Sequence, residues 1–326
     1  MLWKKHQIQS AIERFMKCKR IQTGATFGIM CPSSKMKEPK TLAWFLQYLT
    51  QKGFSYQLGK SMFAKEGYLA GSDRLRADDL NQFFQDDTID AILCFRGGYG
   101  AARFLDQIDY EQIKKHPKLL VGFSDVTVLL NAIYQKTGIP TLHGEMGCVF
   151  QETMLEKEDI SFAHLIDTLL GIAPRELLLK HEGVVFQNEG IVEGEIVGGN
   201  LCLVASLMGT PYEIDTKDKI LLLEDVTEEP YTIDRYLCTL QLAHKLQDAK
   251  AIVLGYFTDC ERKEEDDTQR LQDVLKDYTK DLTCPVLFGF PTGHSRPFVN
   301  VPLGVKVRID TYQKSVIVLE SLFFDK

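Results

Sequence analysis

Short apolar runs alternate with helix-like stretches along residues 24–140. Each run is bounded by glycine, proline or polar residues and is too short for a buried helix, which is typical of a buried strand. Strands and helices in alternation predict a parallel sheet covered by helices. Such sheets bind ligands at the carboxyl ends of their strands, so we expect functional side chains directly after the apolar runs. The strand candidates are ATFGIMC, AILCF and LLVGF, and the helix candidates are KTLAWFLQYLTQKG, DRLRADDLNQFFQDD, GYGAARFLDQI and VTVLLNAIYQKTG.

The pattern changes in the second half of the chain. Residues 151–190 are weakly patterned and partly charged, and from residue 191 short strands punctuated by glycine and proline dominate. One stretch among them, TIDRYLCTLQLAHKL, predicts a helix. The sequence therefore predicts two domains, the second richer in strands than the first. The predicted segments are an N-terminal extension at 1–23, a first domain at 24–150, a linker at 151–190 and a second domain at 191–326.

Charge and composition exclude several classes of protein. The 326 residues carry a formal net charge of −7 and no block rich in lysine or arginine, which argues against a nucleic-acid partner. No apolar run is long enough to span a membrane, and the N-terminus lacks the apolar core of a secretory signal, so we expect a cytoplasmic protein with no membrane partner. None of the eight cysteines forms a CxxC pair or a zinc-type cluster with histidine, so we expect reduced thiols, no metal and no cofactor.

A polar pair, Ser124-Asp125, separates the apolar run LLVGF from the helix candidate VTVLLNAIYQKTG. A serine in this position can cap the helix by accepting a hydrogen bond from a backbone N–H group, and an aspartate is favourable in a first helical turn. A serine on a sharp strand-to-helix turn is also how hydrolases present a nucleophile, beside N–H groups that bind an oxyanion. The local sequence does not match GxSxG, so the cap and the nucleophile stay open as alternatives at this point.

A serine nucleophile needs a histidine base and an acid that orients it. His294, in FGFPTGHSRP, follows an apolar run on a glycine-flanked loop and is a candidate base, although a loop histidine with a local hydrogen bond fits equally well. His143, in TLHGEMG, is predicted to line the same rim. Glu224 and Asp225 follow the apolar run ILLL, where a carboxylate is costly unless it is paired or faces a cleft. This pair is therefore the candidate source of the acid.

Two glycine turns complete the set of candidates. The first, RGGYG at Arg96–Gly100, follows the AILCF run, and its glycines would let the backbone approach a ligand and offer N–H groups to an anion. It is not a nucleotide loop of a known pattern, because GxGxxG and the Walker lysine are both missing. The second, GGN at Gly198–Asn200, lies at a strand-to-helix junction, where tight packing is the alternative to ligand binding.

Seven stretches, taken together and in order, resemble the serine peptidases of the LD-carboxypeptidase family, which also contains microcin-immunity peptidases. They run from near residue 24 to near residue 310, almost the whole chain. The resemblance implies an α/β fold with an N-terminal Rossmann-like domain of parallel strands, a C-terminal β-rich swivelling domain, and an active site between them. The stretches are GIMCPSS, CFRGGYGAARFLDQIDY, VGFSDVT, LHGEMG, IVGGNLCLVASLMGTPYEID, LLLEDVTEEPYTIDR and FGFPTGHS.

The resemblance also implies roles for individual residues. Ser124 would be the nucleophile, His294 the base and Glu224 the acid that orients the histidine. One departure is Glu145, which stands where the family usually has proline. The oxyanion would be bound by backbone N–H groups of Asp125 and of Gly97 or Gly98, and substrate contacts are predicted for Arg96, Tyr99, His143, Gly199 and Asn200.

The function that the resemblance implies is that of a metal-free serine carboxypeptidase of peptidoglycan recycling. It would release the terminal D-alanine from a muropeptide tetrapeptide by cleaving the bond after the L-centre of a diamino acid. The resemblance suggests a homodimer acting on this small substrate. Two alternatives stay open: hydrolysis of a microcin-like peptide-nucleotide in self-immunity, and a non-catalytic protein that binds peptidoglycan fragments in the interdomain cleft.

Overall fold

The structure, a computed structural model, describes residues 17–178, 183–261 and 269–324. It contains a largely parallel first sheet and a second, seven-stranded sheet, which confirms the predicted α/β fold with two domains. Residues 1–16, most of the predicted N-terminal extension, lie outside the described part. The strands are β1 (Thr26–Met30), β2 (Ser55–Leu58), β3 (Ala91–Cys94), β4 (Leu119–Gly122), β5 (Thr141–His143), β6 (Val185–Gln187), β7 (Ile191–Asn200), β8 (Ile220–Val226), β9 (Ala251–Thr258), β10 (Val286–Phe288), β11 (Val301–Leu303), β12 (Lys306–Asp310) and β13 (Ser315–Val318).

The helices follow local signals in the sequence. The hydroxyl of Ser72 accepts a hydrogen bond from the Leu75 N–H group at the start of one helix, and Gly138, with a φ of 76°, ends another where the sequence predicted. The predicted helix GYGAARFLDQI is wrong in part, because Ala101–Gln107 is a 3₁₀ segment broken at Phe104. The helices are α1 (Pro39–Gln51), α2 (Asp73–Gln85), α3 (Tyr110–Lys115), α4 (Thr127–Thr137), α5 (Thr153–Glu156), α6 (Ile160–Leu170), α7 (Leu201–Ser206), α8 (Pro230–Leu242) and α9 (Leu271–Thr279).

The first sheet has six strands in the order β11-β5-β4-β3-β1-β2. Strands β1 to β5 are parallel to one another, as the alternation of strands and helices predicted. The central strands β3 and β4 are buried along their whole length, which fits strands of a parallel sheet. Their carboxyl ends lie side by side, so the RGGYG turn after β3 and the Ser124 turn after β4 share one edge of the sheet.

The region predicted as a linker packs a helix on the first domain and adds a strand to the second sheet. Within it, α6 packs on the first domain, where the Phe162 ring lies 6.1 Å from the Phe45 ring and 4.9 Å from the Phe150 ring. Further on, β6 pairs antiparallel with β10 at the edge of the second sheet. The chain between the two domains is therefore built into their cores for much of its length.

The second sheet has seven strands in the order β13-β12-β7-β8-β9-β10-β6. Its four inner strands, β7 to β10, are parallel, and the outer strands are antiparallel to their neighbours. Strand β8 is buried from Ile220 to Asp225, so Glu224 and Asp225 lie inside the domain at the carboxyl end of a central strand.

The chain crosses back to the first domain before it ends. After β10 it passes through His294 and enters β11, which pairs antiparallel with β5 of the first sheet. It then returns to the second sheet as β12. A second junction joins α4 to β7: the Asn131 Nδ2 donates to the Gly198 carbonyl at 2.9 Å, and the Gly198 N–H donates to the Asn131 Oδ1 at 3.0 Å. These connections fix the position of the His294 loop against both domains.

Candidate active site

Ser124 occupies a strained turn at the carboxyl end of β4. Phe123 is extended, and Ser124 itself has a φ of 61°, a left-handed conformation that is uncommon for a residue with a side chain. A short 3₁₀ turn, Ser124–Val126, then leads into α4. Neither this turn nor α4 has a side-chain cap hydrogen bond, so the cap interpretation of Ser124 is wrong. A strained backbone that leaves a hydroxyl without a capping role points to a functional role.

The RGGYG turn approaches Ser124 closely because Gly97 has no side chain. A Cβ atom on Gly97 would lie 3.1 Å from the Ser124 Cβ and 3.3 Å from its Oγ. Gly98 has a φ of 107°, and a Cβ atom there would lie 2.4 Å from the Ser34 Oγ. Gly97 therefore brings backbone next to the Ser124 hydroxyl, as an oxyanion site requires, and Gly98 lets the turn pass close to Ser34.

Two buried charged side chains hold the RGGYG turn in place. The Asp125 Oδ2 accepts a hydrogen bond from the Ala101 N–H group at 2.8 Å. Burial raises the pKa of Asp125, and the backbone hydrogen bonds and the charge of Arg76 oppose that rise. Arg76, fully buried, donates from Nη1 to the Gly100 carbonyl at 2.8 Å and to the Pro32 carbonyl at 2.7 Å. Sequence reasoning missed Arg76, because an arginine on a polar helix carries no signal of burial.

His294 and Glu224 form a hydrogen-bonded pair that is buried at its Glu224 end. The His294 Nδ1 lies 2.8 Å from the Glu224 Oε2, and the Glu224 side chain is fully buried. Two glycines make room for the carboxylate: a Cβ atom on Gly293 would lie 2.8 Å from the Glu224 Oε2, and one on Gly255 would lie 3.1 Å from the Glu224 Cβ. Because a carboxylate only accepts, Nδ1 carries the proton of the neutral imidazole and Nε2 is left with its lone pair.

The pKa of His294 is raised overall. Burial alone would lower it, but the hydrogen bond to Glu224 and the charge of Glu224 outweigh burial, with smaller contributions from Asp225 and Glu145. The pair therefore favours the protonated imidazole, which is the form that results when histidine accepts a proton from a serine.

Asp225 has a structural environment instead. Its Oδ1 accepts from the Asn200 Nδ2 at 2.9 Å and from the Val226 N–H at 2.9 Å, and its Oδ2 accepts from the Cys202 N–H at 2.9 Å. Burial raises the pKa of Asp225 to about 6. All of these contacts lie within the second domain, so Asp225 anchors the start of α7.

Gly199 and Asn200 join the second domain to the first. The Asn200 Oδ1 accepts from the Leu203 N–H at 3.2 Å, so both the oxygen and the nitrogen of the side-chain amide are hydrogen-bonded within the second domain. The backbone N–H of Asn200 donates to the Thr127 Oγ1 of the first domain at 3.0 Å. A Cβ atom on Gly199 would lie 2.7 Å from the same Thr127 oxygen. Both residues are buried. The substrate contacts predicted for them are therefore corrected to a contact between domains.

His143 lies beneath the site rather than on its rim. Its ring has no exposed surface, stacks on Phe298 at 5.5 Å and meets the edge of Phe123 at 5.8 Å. Phe123 in turn lies 4.8 Å from the His294 ring. Burial lowers the pKa of His143 to about 4, so the ring is neutral. The predicted substrate contact is corrected: a layer of phenylalanine rings covers His143.

Arg96 and Tyr99 lie on the open side of the RGGYG turn. The Arg96 Nη1 donates to the Lys35 carbonyl at 2.7 Å, and within the described part of the chain Arg96 makes no ion pair. Its side chain faces an open pocket that Lys37, Trp44 and Gln151 also line. Tyr99 is 53% exposed, and its ring meets the edge of the Tyr68 ring at 5.7 Å. Both predicted substrate-binding residues are thus accessible to a ligand.

Neither a metal cluster nor a membrane-spanning helix is found among the described residues. Across residues 17–178, 183–261 and 269–324, no group of three or more histidine, cysteine, aspartate or glutamate side chains is arranged to hold a metal ion. No helix in these ranges has the length and apolar character needed to cross a membrane.

Sequence comparison connects both domains to one family. Residues 27–144 match the LD-carboxypeptidase N-terminal domain, and residues 193–309 match the LD-carboxypeptidase C-terminal domain. The chain is 39% identical over 308 residues to the probable murein peptide carboxypeptidase of Bacillus subtilis (strain 168), covering 93% of this chain and 94% of that protein. These matches confirm the resemblance read from the sequence.

Solved structures give the same relationship. The fold is similar to that of the wild-type microcin C7 self-immunity protein MccF, with a TM-score of 0.82 and 25% identity over 95% of this chain and 100% of that one. It is also similar to a muramoyltetrapeptide carboxypeptidase from Oxalobacter formigenes, with a TM-score of 0.76 and 25% identity over 90% of this chain and 97% of that one. With both domains matched in order along the chain and its fold shared with these structures, the chain belongs to the LD-carboxypeptidase family.

Proposed function

We propose that this protein is a serine LD-carboxypeptidase that releases the terminal D-alanine from murein tetrapeptides in peptidoglycan recycling. The observation that carries the proposal is the hydrogen bond between the His294 Nδ1 and the buried Glu224 Oε2, at 2.8 Å. It supplies a base in the correct tautomer at the same edge as a strained serine turn. The similarity to a probable murein peptide carboxypeptidase and to a muramoyltetrapeptide carboxypeptidase supports the choice of substrate.

In the proposed reaction, the His294 Nε2 takes the proton of the Ser124 hydroxyl while Oγ attacks the carbonyl carbon that precedes D-alanine. The tetrahedral oxyanion is bound by backbone N–H groups of Asp125 and of Gly97 or Gly98. Collapse of the intermediate breaks the C–N bond, and His294 gives its proton to the leaving amine, which departs as D-alanine. Water then attacks the acyl-enzyme, with His294 again as the base, and frees the tripeptide and Ser124.

The oxyanion donors are preorganised in this proposal. The N–H group of Asp125 belongs to the turn that opens α4, and the carboxyl end of the RGGYG turn is held by the Asp125 side chain through the Ala101 N–H group and by Arg76 through the Gly100 carbonyl. Donors that are fixed before the reaction need no reorganisation when charge develops on the oxygen, which is why such sites lower the barrier.

Substrate recognition in this proposal uses the accessible cation of the site. Arg96 lies next to Gly97, is half-buried, and faces the open pocket without an ion-pair partner among the described residues. A carboxypeptidase must recognise a free carboxylate, and a guanidinium group is suited to that task. Amidating the terminal carboxyl group of the peptide should then slow cleavage, whereas equal rates for both peptides would argue against a carboxylate clamp.

The proposal also covers location and assembly. We expect a cytoplasmic homodimer that needs neither metal nor cofactor and has a small muropeptide as its substrate. Size-exclusion chromatography with light scattering would measure the oligomeric state, and activity in the presence of a chelator would test the metal. Activity that a chelator abolishes and zinc restores would overturn the metal-free reaction.

The deciding experiment is incubation of the protein with a defined murein tetrapeptide, with detection of D-alanine and the tripeptide. The wild-type protein should release both in equal amounts. The Ser124→Ala variant should lose on the order of 10⁶ in kcat, as expected when a triad loses its nucleophile. A Ser124→Ala variant that keeps a few per cent of the activity would overturn the serine mechanism.

A second function is favoured by the fold similarity to MccF. The same residues could hydrolyse a microcin-like peptide-nucleotide, because the acyl-transfer chemistry is shared. Product analysis with the tetrapeptide and with an aminoacyl-nucleotide conjugate separates the two substrates. If neither substrate is cleaved and a fluorophosphonate does not label Ser124, the result favours the non-catalytic alternative, a protein that binds peptidoglycan fragments.

A further inference from the structure

The loop that follows His294 is held by the first domain, although its Glu224 partner belongs to the second. The Phe298 N–H donates to the Ser161 Oγ at 2.9 Å, and the Asn300 N–H donates to the His164 Nδ1 at 3.1 Å. Both acceptors lie on α6, which packs on the first domain. His294 is therefore held on two sides: by Glu224 of the second sheet, and through its loop by the domain that carries Ser124.

Arg296 makes the charged part of this attachment. Its Nη1 lies 3.0 Å from the Glu145 Oε2 and 2.6 Å from the Asp159 Oδ1, and its guanidinium lies 5.6 Å from the centre of the Phe162 ring. The Arg296 side chain is 36% exposed, whereas that of Glu145 is 3% exposed. An ion pair with one deeply buried partner is screened less by solvent and salt than a surface pair. Its loss therefore costs more free energy than the loss of a surface pair.

Glu145 links the Arg296 contact to the edge that carries Ser124. It follows β5, the neighbour of β4 in the first sheet, and the adjacent Gly144 N–H donates to the Gly122 carbonyl at 3.0 Å, two residues before Ser124. The Glu145 N–H donates to the Asn300 Oδ1 at 2.8 Å. Glu145 therefore contacts the His294 loop through both its backbone and its side chain.

Glu145 and His294 also interact through their charges. Burial raises the pKa of Glu145 to about 7; the ion pair with Arg296 and the charge of His294 oppose the rise, and the charge of Asp159 adds to it. For His294, burial lowers the pKa, and the groups that raise it are Glu224, Asp225 and Glu145. A negative Glu145 thus stabilises a protonated His294, independently of the hydrogen bond to Glu224.

We propose that Arg296 and Glu145 are positioning residues: their ion pair holds the His294 loop at the edge that carries Ser124, and the Glu145 carboxylate stabilises the imidazolium that forms when His294 takes the serine proton. This inference rests on the proposed triad. It assigns a role to Glu145, which is one of the departures from the family pattern that the sequence resembles.

Glu145→Gln tests the charge while keeping the shape of the side chain. His294 acts as a base only when it is neutral, so kcat/KM rises with pH through the pKa of His294. Removing the Glu145 charge lowers that pKa, so the rise should move to lower pH. The plateau of kcat should fall by up to about 100-fold with little change in KM, because the imidazolium loses stabilisation and the loop loses a contact.

Asp159→Asn is the matched control. It removes the other carboxylate that contacts Arg296, and asparagine still caps the first turn of α6. Asp159 is not among the main groups that shift the pKa of His294, and its removal favours the negative form of Glu145, so the rise in the pH profile should not move to lower pH. Arg296→Ala should lower kcat, and Arg296→Lys should restore part of the loss because it restores one charged contact.

The outcomes separate this inference from the triad itself. If the wild-type protein cleaves the tetrapeptide, Ser124→Ala is inactive, and Glu145→Gln has the wild-type kcat and pH profile, the positioning role is rejected while the triad stands. A profile that moves equally in Glu145→Gln and Asp159→Asn would also reject it. If Ser124→Ala keeps its activity, the proposed function fails first. Thermal unfolding of each variant checks that a fall in kcat is not a loss of fold.

Discussion

Glu224 and Asp225 are neighbours on β8, and their surroundings separate their roles. Glu224 reaches the His294 Nδ1, whereas both oxygens of Asp225 are taken by hydrogen bonds from Asn200 and from backbone N–H groups. Alternation of side chains along a strand places the two carboxylates on opposite faces of the sheet. Glu224 is therefore the acid that orients His294 in the proposed triad, because its face of the sheet is the one that meets the first domain.

The first prediction compares Glu224→Gln with Asp225→Asn. Glutamine can present an N–H group to Nδ1 and favour the wrong tautomer, so kcat should fall by about 10⁴ with little change in substrate binding. Asp225→Asn should lower stability by about 1–3 kcal/mol, because it disturbs buried hydrogen bonds, and should change kcat much less. The measurements are kcat on one tetrapeptide and the free energy of unfolding. A larger loss of kcat at Asp225 than at Glu224 would contradict the assignment.

The combination with His294→Ala gives the sharper form of this test. Residues that act as one unit have non-additive effects, so the double variant Glu224→Gln, His294→Ala should be scarcely slower than His294→Ala alone. If the two losses of kcat multiply instead, Glu224 and His294 act independently.

Single residues also mark how far sequence reasoning reaches. A carboxylate after four apolar residues and a histidine on a glycine-flanked loop are readable in the sequence, and the structure puts Glu224 and His294 in contact. The burial of His143 and Arg76 was not readable, because it depends on residues that pack over them from distant parts of the chain. The burial of Asn200 was not readable either, because it depends on Asp225 and Thr127, which lie 25 and 73 residues away in the sequence.

At the scale of elements, the RGGYG turn depends on a backbone conformation that only glycine adopts easily. Gly98→Ala should displace the turn, because the residue has a φ of 107° and its new Cβ would lie 2.4 Å from the Ser34 Oγ. We expect kcat to fall by up to about 100-fold through misplaced N–H donors. The stability should fall by about 1–2 kcal/mol.

Gly24→Ala is the control for this second prediction. Gly24 has a φ of 91°, and a Cβ atom there would have nothing within 4 Å; the residue lies before β1, at the opposite end of the sheet from the site. The variant should lose similar stability and keep the wild-type kcat. Equal kcat values for the two variants would show that the RGGYG turn has no part in the reaction.

The elements themselves were largely predictable. Strands β1, β3 and β4 and helices α1, α2 and α4 follow from apolar runs, caps and glycine stops that act over a few residues. The 3₁₀ segment at Ala101–Gln107 was not predictable, since its amino end is held by Asp125 and Arg76 from other elements. The stretch VPLGVKVRID predicts a strand, but the pairing of β11 with β5 was not predictable, because it joins residues that are far apart in the sequence.

At the scale of the whole molecule, the two domains share one hydrophobic core. A single cluster of buried side chains contains Phe27, Leu120 and Leu142 of the first sheet together with Leu222, Val253 and Leu287 of the second. On the opposite face of the second sheet, a separate cluster of buried apolar side chains lies under α7, α8 and α9. The chain also enters the first sheet again through β11. A contiguous core and a returning strand make separate folding of the two domains unfavourable.

The last prediction is therefore that both domains unfold in one transition. Of the two tryptophans, Trp44 lies on α1 of the first domain, so in a Trp3→Phe background its fluorescence reports that domain, whereas far-UV circular dichroism reports both. The two signals should give the same midpoint in urea, as a cooperative transition requires. Asn131→Ala should lower this common midpoint, because it leaves the Gly198 N–H and carbonyl groups without their partners, at about 1–3 kcal/mol each. Two separate midpoints in the wild-type protein would show that the shared core does not couple the domains. The proposed active site would then be free to open without global unfolding.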